Sequence, residues 1–442
     1  MSNIATLPLH KKLKQIRTAK GLSQHSLGSF LGRNTKYVSR IENGETQVTP
    51  DVLARILKFM DVETAPLFDN ELSIYKSRLW VWRDVIVANR IEEAQNMQKG
   101  LSVILSLPFE QDLIIMYKMI ESRLFVIARN MSAIQERIES ATPHLDEMST
   151  DALHLYHYIA GIFNFMQTAV PFTQTMDSES RSEKEILTKA LEHFTLSLDY
   201  ERQSAGFYKD ASLQAFIGNT YTSLGKPVRA LISLERSLAA YSGDYAIGIR
   251  KMGASIATCH FHIGDYEQAK NAFEEVLLHE QAVNNRIKIA LVLSDLALTN
   301  LMLGNHDEAL RQCEEAFSIA KEDDLVYLIC LSCKIKIFMK IKKTAAAKAL
   351  VAEGKQLATG EKEIVRVVFE AFGHLMSLSS DKSIDYLENI AIPCLRGTAQ
   401  NHIALEICST LEEHFRKKEA KYKTLAMAAL GRDIYRDMIV GH

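Results

Sequence analysis

The stretch from Gly21 to Gly44 carries polar side chains whose types and spacing could read a DNA sequence. A helical pattern runs from about Thr35 to Glu42 and places Val38 and Ile41 on one face. Arginine and lysine can donate to guanine edges or to phosphates, and threonine and tyrosine can contact a thymine methyl group or a phosphate. We therefore predict that the opposite face contacts DNA through Thr35, Lys36, Tyr37, Ser39 and Arg40.

Two short helices joined by a glycine turn would hold this face in place. The Ser23 hydroxyl can cap the first helix, and its apolar residues Leu27, Phe30 and Leu31 should point inward. Gly32 then ends the helix, because glycine can adopt the left-handed backbone that a tight turn needs. Two such helices, the second with a basic outer face, are the pattern of a helix-turn-helix.

This segment resembles the DNA-binding domain of the Xre and lambda-repressor family. The resemblance implies that Gln24 also contacts DNA, and that Arg17 pairs with Glu42 and is mainly structural. The alternative for the polar face is a solvated surface on a head that only holds protein partners. The positions that match the family pattern are Leu13, Arg17, Gly21-Leu22-Ser23-Gln24, Leu27, Leu31-Gly32 and Val38 to Gly44.

The composition predicts an all-α protein of more than one domain in the cytoplasm. Glycine (20) and proline (8) are scarce, and 442 residues are too many for one ordinary core. The first 62 residues hold ten Lys and Arg against four Asp and Glu, although the whole chain carries a net charge of −2. Only this basic head should meet nucleic acid. No stretch has the apolar core of a signal peptide or a membrane span, and the six cysteines should be reduced thiols.

A motif that starts with glycine and ends with alanine recurs beyond residue 150. The segments Gly225–Ala230, Gly264–Ala269 and Gly304–Ala309 follow one another at steps of 39 and 40 residues. The small alanine lets neighbouring helices touch, and an apolar residue four positions later fills the gap between helix pairs. This pattern is typical of tetratricopeptide repeats, which would coil into a right-handed superhelix with a concave inner wall.

The inner helix of each repeat should present polar side chains to the concave groove. An asparagine amide both donates and accepts hydrogen bonds, so it can bind the backbone of an extended peptide. Asn219 is the strongest candidate for that role. Any one of these residues could equally be an ordinary surface residue, but the set predicts a peptide groove. Counting back from the glycine turns gives Ser212, Asn219, Thr222, Ser255, Thr258, His262, Asp295 and, at the edge of the face, Asn300.

A second resemblance lies between the head and the repeats. Asn89 to Ala94, Phe109 to Leu113 and Met119 to Arg123 are similar to the helical bundle of Rap proteins. Together with the Xre-type head, they make the chain resemble the Rap/Rgg/NprR/PlcR/PrgX peptide-pheromone receptors of Gram-positive bacteria and their phages, and the NprR type in particular. The implied domains are a helix-turn-helix domain at residues 1–65, a linker at 66–72, a bundle at 73–148 and a peptide-binding repeat domain at 149–442.

The resemblance implies a quorum-sensing transcription regulator. A short signalling peptide would switch how a homodimer holds its heads on a double-stranded DNA operator. One alternative is a Rap-like protein that binds a response regulator or hydrolyses its aspartyl phosphate, with Gln111 in the position of the Rap glutamine that orients water. Another is a scaffold whose repeats recruit a protein partner. We expect no cofactor and no metal site, because Cys330, Cys333 and the segment Cys259–His262 lack a second half at zinc spacing.

Overall fold

Helices joined by short turns build the whole described part of the chain. The computed structural model describes residues 8–61, 69–106, 111–169, 183–203, 211–240, 252–321, 323–358 and 363–439. Within these ranges there is no β-strand, and no helix is long and apolar enough to span a membrane. The predicted all-α fold is confirmed. The chain divides into two compact units, Met1–Phe163 with Glu192–Tyr208, and Asn164–Leu191 with Lys209–His442.

Four short helices form the head, which begins the first unit. They are α1 (Leu9–Ala19), α2 (Gln24–Leu31), α3 (Thr35–Glu42) and α4 (Pro50–Phe59). The Ser23 hydroxyl accepts the backbone N–H of Ser26 at 3.0 Å and caps α2. Gly32 ends α2 in the left-handed region at φ 69°, as the helix-turn-helix pattern predicts. The Asn34 side chain accepts the backbone N–H of Tyr37 at 2.9 Å and caps α3.

The prediction that Phe30 points inward is wrong. Its side chain is 42% exposed, and its ring lies 4.7 Å from that of Phe59, centroid to centroid. Leu27 and Leu31 stand one turn apart on α2 and fill the core position, so Phe30 lies at the edge of their stripe. The buried core of the head consists of Leu13, Ile16, Leu27, Leu31, Val38, Ile41, Ile56, Leu57 and Met60.

A bundle of longer helices completes the first unit. The indole N–H of Trp82 donates to the carbonyl oxygen of Ala94 at 2.8 Å, and its ring lies 5.0 Å from that of Tyr117. One buried tryptophan therefore ties three consecutive helices together. The helices after the head are α5 (Asp69–Val87), α6 (Ile91–Leu101), α7 (Gln111–Ile127), α8 (Met131–Ala141), α9 (Thr150–Ala169) and α10 (Glu183–Gln203).

The domain limits drawn from the sequence stay predictions. Helix α5 begins at Asp69, which lies inside the segment 66–72 that was predicted as a linker. Residues 66–68 of that segment lie outside the described residues. The first compact unit continues to Phe163, beyond the predicted end of the bundle at residue 148.

The second unit consists of the repeat helices and the helices that follow them. Gly264 and Gly304 form the turns of two repeats at φ 88° and φ 83°. Ala269 and Ala309 open the next helices and are fully buried, as the repeat pattern predicts. The helices are α11 (Ala211–Ser223), α12 (Pro227–Ala240), α13 (Ala254–Ile263), α14 (Tyr266–Ala282), α15 (Arg286–Met302), α16 (His306–Ala320), α17 (Asp324–Lys340), α18 (Thr344–Leu357), α19 (Glu363–Leu375), α20 (Asp381–Tyr386), α21 (Ile392–Leu395), α22 (Asn401–Lys417) and α23 (Lys421–Ile439).

The first described repeat of this unit contacts its C-terminal helices. Helix α23 packs against α12. The buried Asn401 side chain donates to the carbonyl oxygen of Gly225 at 3.3 Å and accepts the N–H of Gly397 at 2.7 Å. Gly225 has φ 65°, and a side chain there would press against Asn401 and within 2.5 Å of the Thr398 carbonyl oxygen. Glycine is therefore required at this contact by both its backbone and its lack of a Cβ.

We predict that Gly225→Ala destabilises the repeat unit more than Gly264→Ala does. Both changes put alanine in the left-handed region, at a cost of about 1–2 kcal/mol. Of the two positions, Gly225 has neighbours within 4 Å of the added Cβ and Gly264 has none. The crowding at Gly225 adds about 1–3 kcal/mol for overpacking. Urea denaturation of the full chain, with hydrogen exchange read at residues 397–401, measures both effects. Equal free energies of unfolding for the two variants would contradict a tight contact at Gly225.

Candidate functional site

The polar face of α3 is open to solvent. Thr35, Lys36 and Arg40 are exposed, and Tyr37 and Ser39 are half-buried. The nearest carboxylate to Arg40 is that of Glu45, with an Nε–Oε2 distance of 3.7 Å and both side chains more than half exposed. Such a surface pair contributes at most about 1 kcal/mol, so a DNA phosphate or base can displace Glu45. The five side chains predicted to contact DNA thus lie on one accessible helix.

A buried carboxylate behind this face holds the head together. Glu42 is 4% exposed, and its two oxygens accept Nε and Nη2 of Arg17 at 2.6 and 2.9 Å. Arg17 Nη1 also donates to the carbonyl oxygen of Leu22 at 2.7 Å. The predicted pairing of Arg17 with Glu42 is therefore present in the structure. It fixes the end of α3 to α1 and to the start of the turn before α2.

The same carboxylate orients Gln24. The Gln24 amide donates to Glu42 Oε2 at 2.8 Å, which leaves its second N–H and its Oε1 available. An amide held in this way can still donate to and accept from a DNA base edge or phosphate. The DNA contacts of Gln24 and of the α3 side chains stay predictions.

A cavity of about 280 Å³ lies among the inner helices of the second unit. Most of its wall is apolar, with side chains such as Phe261, Leu298 and Val368. Of the eight residues predicted for the peptide groove, four line it, on three successive inner helices. They are Thr222, Thr258, His262 and Asp295.

The other four groove candidates do not line this cavity. Asn300 is 1% exposed, donates to Gln312 Oε1 at 2.9 Å and accepts from Asn305 Nδ2 at 3.1 Å. Its amide is therefore used within its own helix pair, and we leave it out of the site. Ser212 is also buried, and Asn219 and Ser255 are half-buried.

Two ionisable cavity residues escaped the sequence analysis. Lys336 extends from α17 into the cavity, and its ammonium donates to Nε2 of His402 on α22 at 2.9 Å. Since an ammonium has no acceptor, His402 carries its own proton on Nδ1. The His402 ring lies 4.8 Å from that of His262. The cavity therefore joins an apolar wall to a cluster of four ionisable side chains that includes Asp295.

Burial sets the protonation states of this cluster. It raises the pKa of Asp295 to about 7, which Lys336 opposes through its positive charge. Burial and Lys336 together lower the pKa of His262 to about 4. Burial, Lys336 and His262 lower the pKa of His402 well below its usual range. Both imidazoles are therefore neutral at pH 7, and Asp295 is poised between its charged and neutral forms.

Comparisons with known proteins agree with both halves of the fold. Residues 13–67 match the helix-turn-helix family, and residues 252–322 match the tetratricopeptide repeat. A comparison with curated protein sequences found no match. The apo form of the quorum sensor NprR from B. thuringiensis is 20% identical over 83% of this chain and 100% of that chain, with a TM-score of 0.61. NprR in complex with its cognate peptide NprX is 18% identical over 82% and 99%, with a TM-score of 0.64.

A Rap protein complexed with competence and sporulation factor is 14% identical over 83% of this chain and 98% of that chain, with a TM-score of 0.62. The chain has the fold of the NprR and Rap proteins. The resemblance stated from the sequence motifs is thereby confirmed at the level of the fold.

Within this fold, Gln111 is the first residue of α7. Its side chain is half-buried, and the described residues offer it no hydrogen-bond partner. Phe109 and Glu110, which belong to the same Rap-like motif, lie outside the described residues. The next residue, Asp112, accepts the N–H and the hydroxyl of Ser149 at 2.8 and 2.6 Å. The catalytic role suggested for Gln111 stays a prediction.

The cysteines considered as possible metal ligands belong to the repeat core. Cys259, Cys330 and Cys333 are all buried. Cys333 Sγ donates to the carbonyl oxygen of Ser294 at 3.2 Å, and Thr222 Oγ1 lies 3.7 Å from Cys259 Sγ. Burial raises the pKa of Cys259 to about 11, which keeps the thiol protonated. These thiols pack between helices of the repeat unit.

We predict that Arg17→Ala destabilises the head. The change leaves the Glu42 carboxylate buried with Gln24 as its remaining donor, and breaking a buried pair costs about 3–5 kcal/mol. Hydrogen exchange of the α1 and α3 amides in the full chain measures the loss. Arg55→Ala is the matched control, because the exposed Arg55 donates only to the carbonyl oxygen of Phe30 at 3.2 Å. Equal protection in both variants would show that the Glu42 contacts contribute little.

Proposed function

We propose that this protein is a cytoplasmic transcription regulator that binds DNA through α3 and is switched by a short peptide bound in its repeats. The cavity of the second unit carries the proposal. It joins an apolar wall to hydrogen-bonding and charged groups, which is the composition of a ligand site. The exposed face of α3 and the fold shared with a peptide-bound NprR support it further.

The size of the cavity indicates which part of a peptide it holds. A volume of about 280 Å³ lies just below the range of roughly 300–1,000 Å³ that is usual for small-molecule sites. An extended peptide of roughly five to ten residues would therefore place one or two side chains in the cavity. The rest of the peptide would run along the inner helices, where Asn219 and Ser255 lie half-buried.

The DNA partner is a double-stranded operator read by two heads. One helix-turn-helix contacts only a few base pairs, and heads of this type bind paired half-sites about one helical turn apart, or a multiple of that distance. We therefore propose that the protein acts as a homodimer on a two-fold related site. The peptide would change how the two heads are held, and so whether both reach their half-sites together.

A Rap-like interaction with a response regulator is the second candidate function. The observation in its favour is the unoccupied amide of Gln111 at the start of α7. Phosphate release from a phosphorylated response regulator is the measurement that separates this function from the first. No release and no complex would leave the bundle as a connector.

We predict that Lys36→Ala and Arg40→Ala each weaken DNA binding. The loss is about 1–3 kcal/mol where the side chain makes a bidentate base contact, and it is smaller and uniform across sequences where the side chain meets a phosphate. Gel-shift titration of the full chain against duplexes selected from a random-sequence pool gives both affinity and sequence preference. Lys58→Ala is the control, because it removes the same charge from an exposed position on α4. Unchanged DNA affinity in both α3 variants would show that α3 does not carry the DNA-binding face.

We predict that Ser332→Phe blocks the peptide site. Ser332 lines the cavity and donates to the carbonyl oxygen of Ile329 at 2.8 Å, so a phenyl ring in its place would fill part of the volume. A bulky side chain in a filled site costs about 1–3 kcal/mol, or roughly tenfold or more in Kd. Ser318→Phe is the matched control, because Ser318 makes the same bond to Glu315 at 2.7 Å on the exposed side of α16.

The measurement is calorimetry with a peptide that the wild-type chain retains from a pooled synthetic library. Equal affinities of the Ser332→Phe and Ser318→Phe variants would place the peptide elsewhere.

A further inference from the structure

Asp295 is the least satisfied charged group in the cavity. It lies on α15 and lines the cavity wall. Among the described residues its carboxylate has neither a hydrogen-bond donor nor an ion-pair partner within 4.0 Å, although Lys336 is close enough to influence its ionisation. The side chain is half-buried in that wall, and a carboxylate partly withdrawn from water without a partner is costly, unless a ligand supplies one.

Lys336 does not act as the partner of Asp295, because its ammonium is held by other groups. Its ammonium donates to His402 Nε2 at 2.9 Å, and the carboxylate of Glu406 on α22 attracts it as well. The two opposite charges of the cavity therefore stand apart instead of forming a direct pair.

The remaining ionisable groups that face Asp295 and Lys336 are neutral near pH 7. His262 on α13 has a pKa of about 4, and that of His402 on α22 is well below its usual range. Cys330 and Cys333 on α17 have raised pKa values, about 11 for Cys330, and stay protonated as thiols. Neither the two imidazoles nor the two thiols therefore titrate between pH 6 and pH 7, whereas the pKa of Asp295 lies at about 7.

We propose that Asp295 binds a cationic group of the peptide while an adjacent apolar side chain fills the cavity. This inference rests on the proposed peptide-binding function and adds the chemistry that the peptide must carry. The cation is either the N-terminal ammonium or a Lys or Arg side chain, since both donate charge-assisted hydrogen bonds to a carboxylate. Phe261, Leu298 and Val368 offer the apolar surface for the neighbouring residue.

The inference predicts that peptide affinity rises with pH. A bound cation favours the charged carboxylate, so binding lowers the pKa of Asp295 and releases a proton. Because the pKa of Asp295 in the free protein is about 7, its carboxyl is mostly protonated below pH 7 and must lose that proton before it binds the cation. Affinity should therefore be about fivefold higher at pH 7 than at pH 6, which is the ratio of the charged fractions of the free carboxyl. Both kinds of peptide cation remain mostly protonated in this range.

The test uses the full chain and three pooled libraries of synthetic hexapeptides. One library has free N-termini and all residue types, the second is N-acetylated, and the third has free N-termini but no Lys or Arg. Peptides retained by the protein are identified by mass spectrometry, and their Kd is measured at pH 6 and pH 7. The second and third libraries decide between a side-chain cation and the N-terminal ammonium.

The test variant is Asp295→Asn, which keeps the shape of the side chain and removes its charge. Asp307→Asn, at an exposed position on α16, is the matched control. We expect Asp295→Asn to weaken the retained cationic peptides about tenfold or more and to abolish the pH dependence, whereas Asp307→Asn does neither.

Two results would overturn the inference, and they have different consequences for the proposed function. Peptides that bind wild type and Asp295→Asn equally at both pH values would refute the role of Asp295 and leave peptide binding in place. A wild-type chain that retains no peptide from any library would refute the proposed function and this inference together.

Discussion

Close contact between consecutive helices of the repeat unit is the constraint on which its other features depend. Ala230, Ala269 and Ala309 are fully buried at the start of the second helix of their pairs, and only a side chain of this size lets the helices approach. Leu234 and Phe273, one turn later, fill the space between pairs and are buried as well. With the outer helices fixed in this way, the inner helices carry their side chains to a common wall. Residues far apart in the chain therefore line one cavity.

The segments that line the cavity also form the contact between Asn401 and Gly225. Thr222 lines the cavity three residues before Gly225, and His402 lines it directly after Asn401. Since Asn401 donates to the carbonyl oxygen of Gly225, a ligand between the inner helices would press on both sides of that hydrogen bond. A ligand shifts such an equilibrium only by its difference in affinity for the two states. A peptide that touches Thr222 and His402 would therefore act on this contact only as far as it binds one arrangement of these segments more tightly than the other.

The parts that the sequence predicts correctly are those with a local or periodic signal. The turn at Gly32 and the buried alanines of the repeats follow from fixed spacings, the pair Arg17–Glu42 follows from the family resemblance, and the structure has all of them. Lys336 was missed for a physical reason. The turn after α17 places Lys342 at φ 60° where the other repeats use glycine, so counting back from glycines does not reach this helix. His402 was missed because it enters the cavity from α22, and no spacing in the sequence predicts that long-range packing.

Two acids of the chain, Glu42 and Asp295, illustrate how partners decide the role of a charge. Glu42 has its oxygens occupied by Arg17 and Gln24, so its charge is compensated within the head and serves the packing of α1, α2 and α3. Asp295 is surrounded by protein without such donors, and its pKa lies near 7 as a result. Uncompensated burial destabilises the free protein, and a ligand that brings the missing donor recovers that free energy as affinity. Within the head this cost is met by Arg17 and Gln24, and at Asp295 it is the basis of the binding role that we propose.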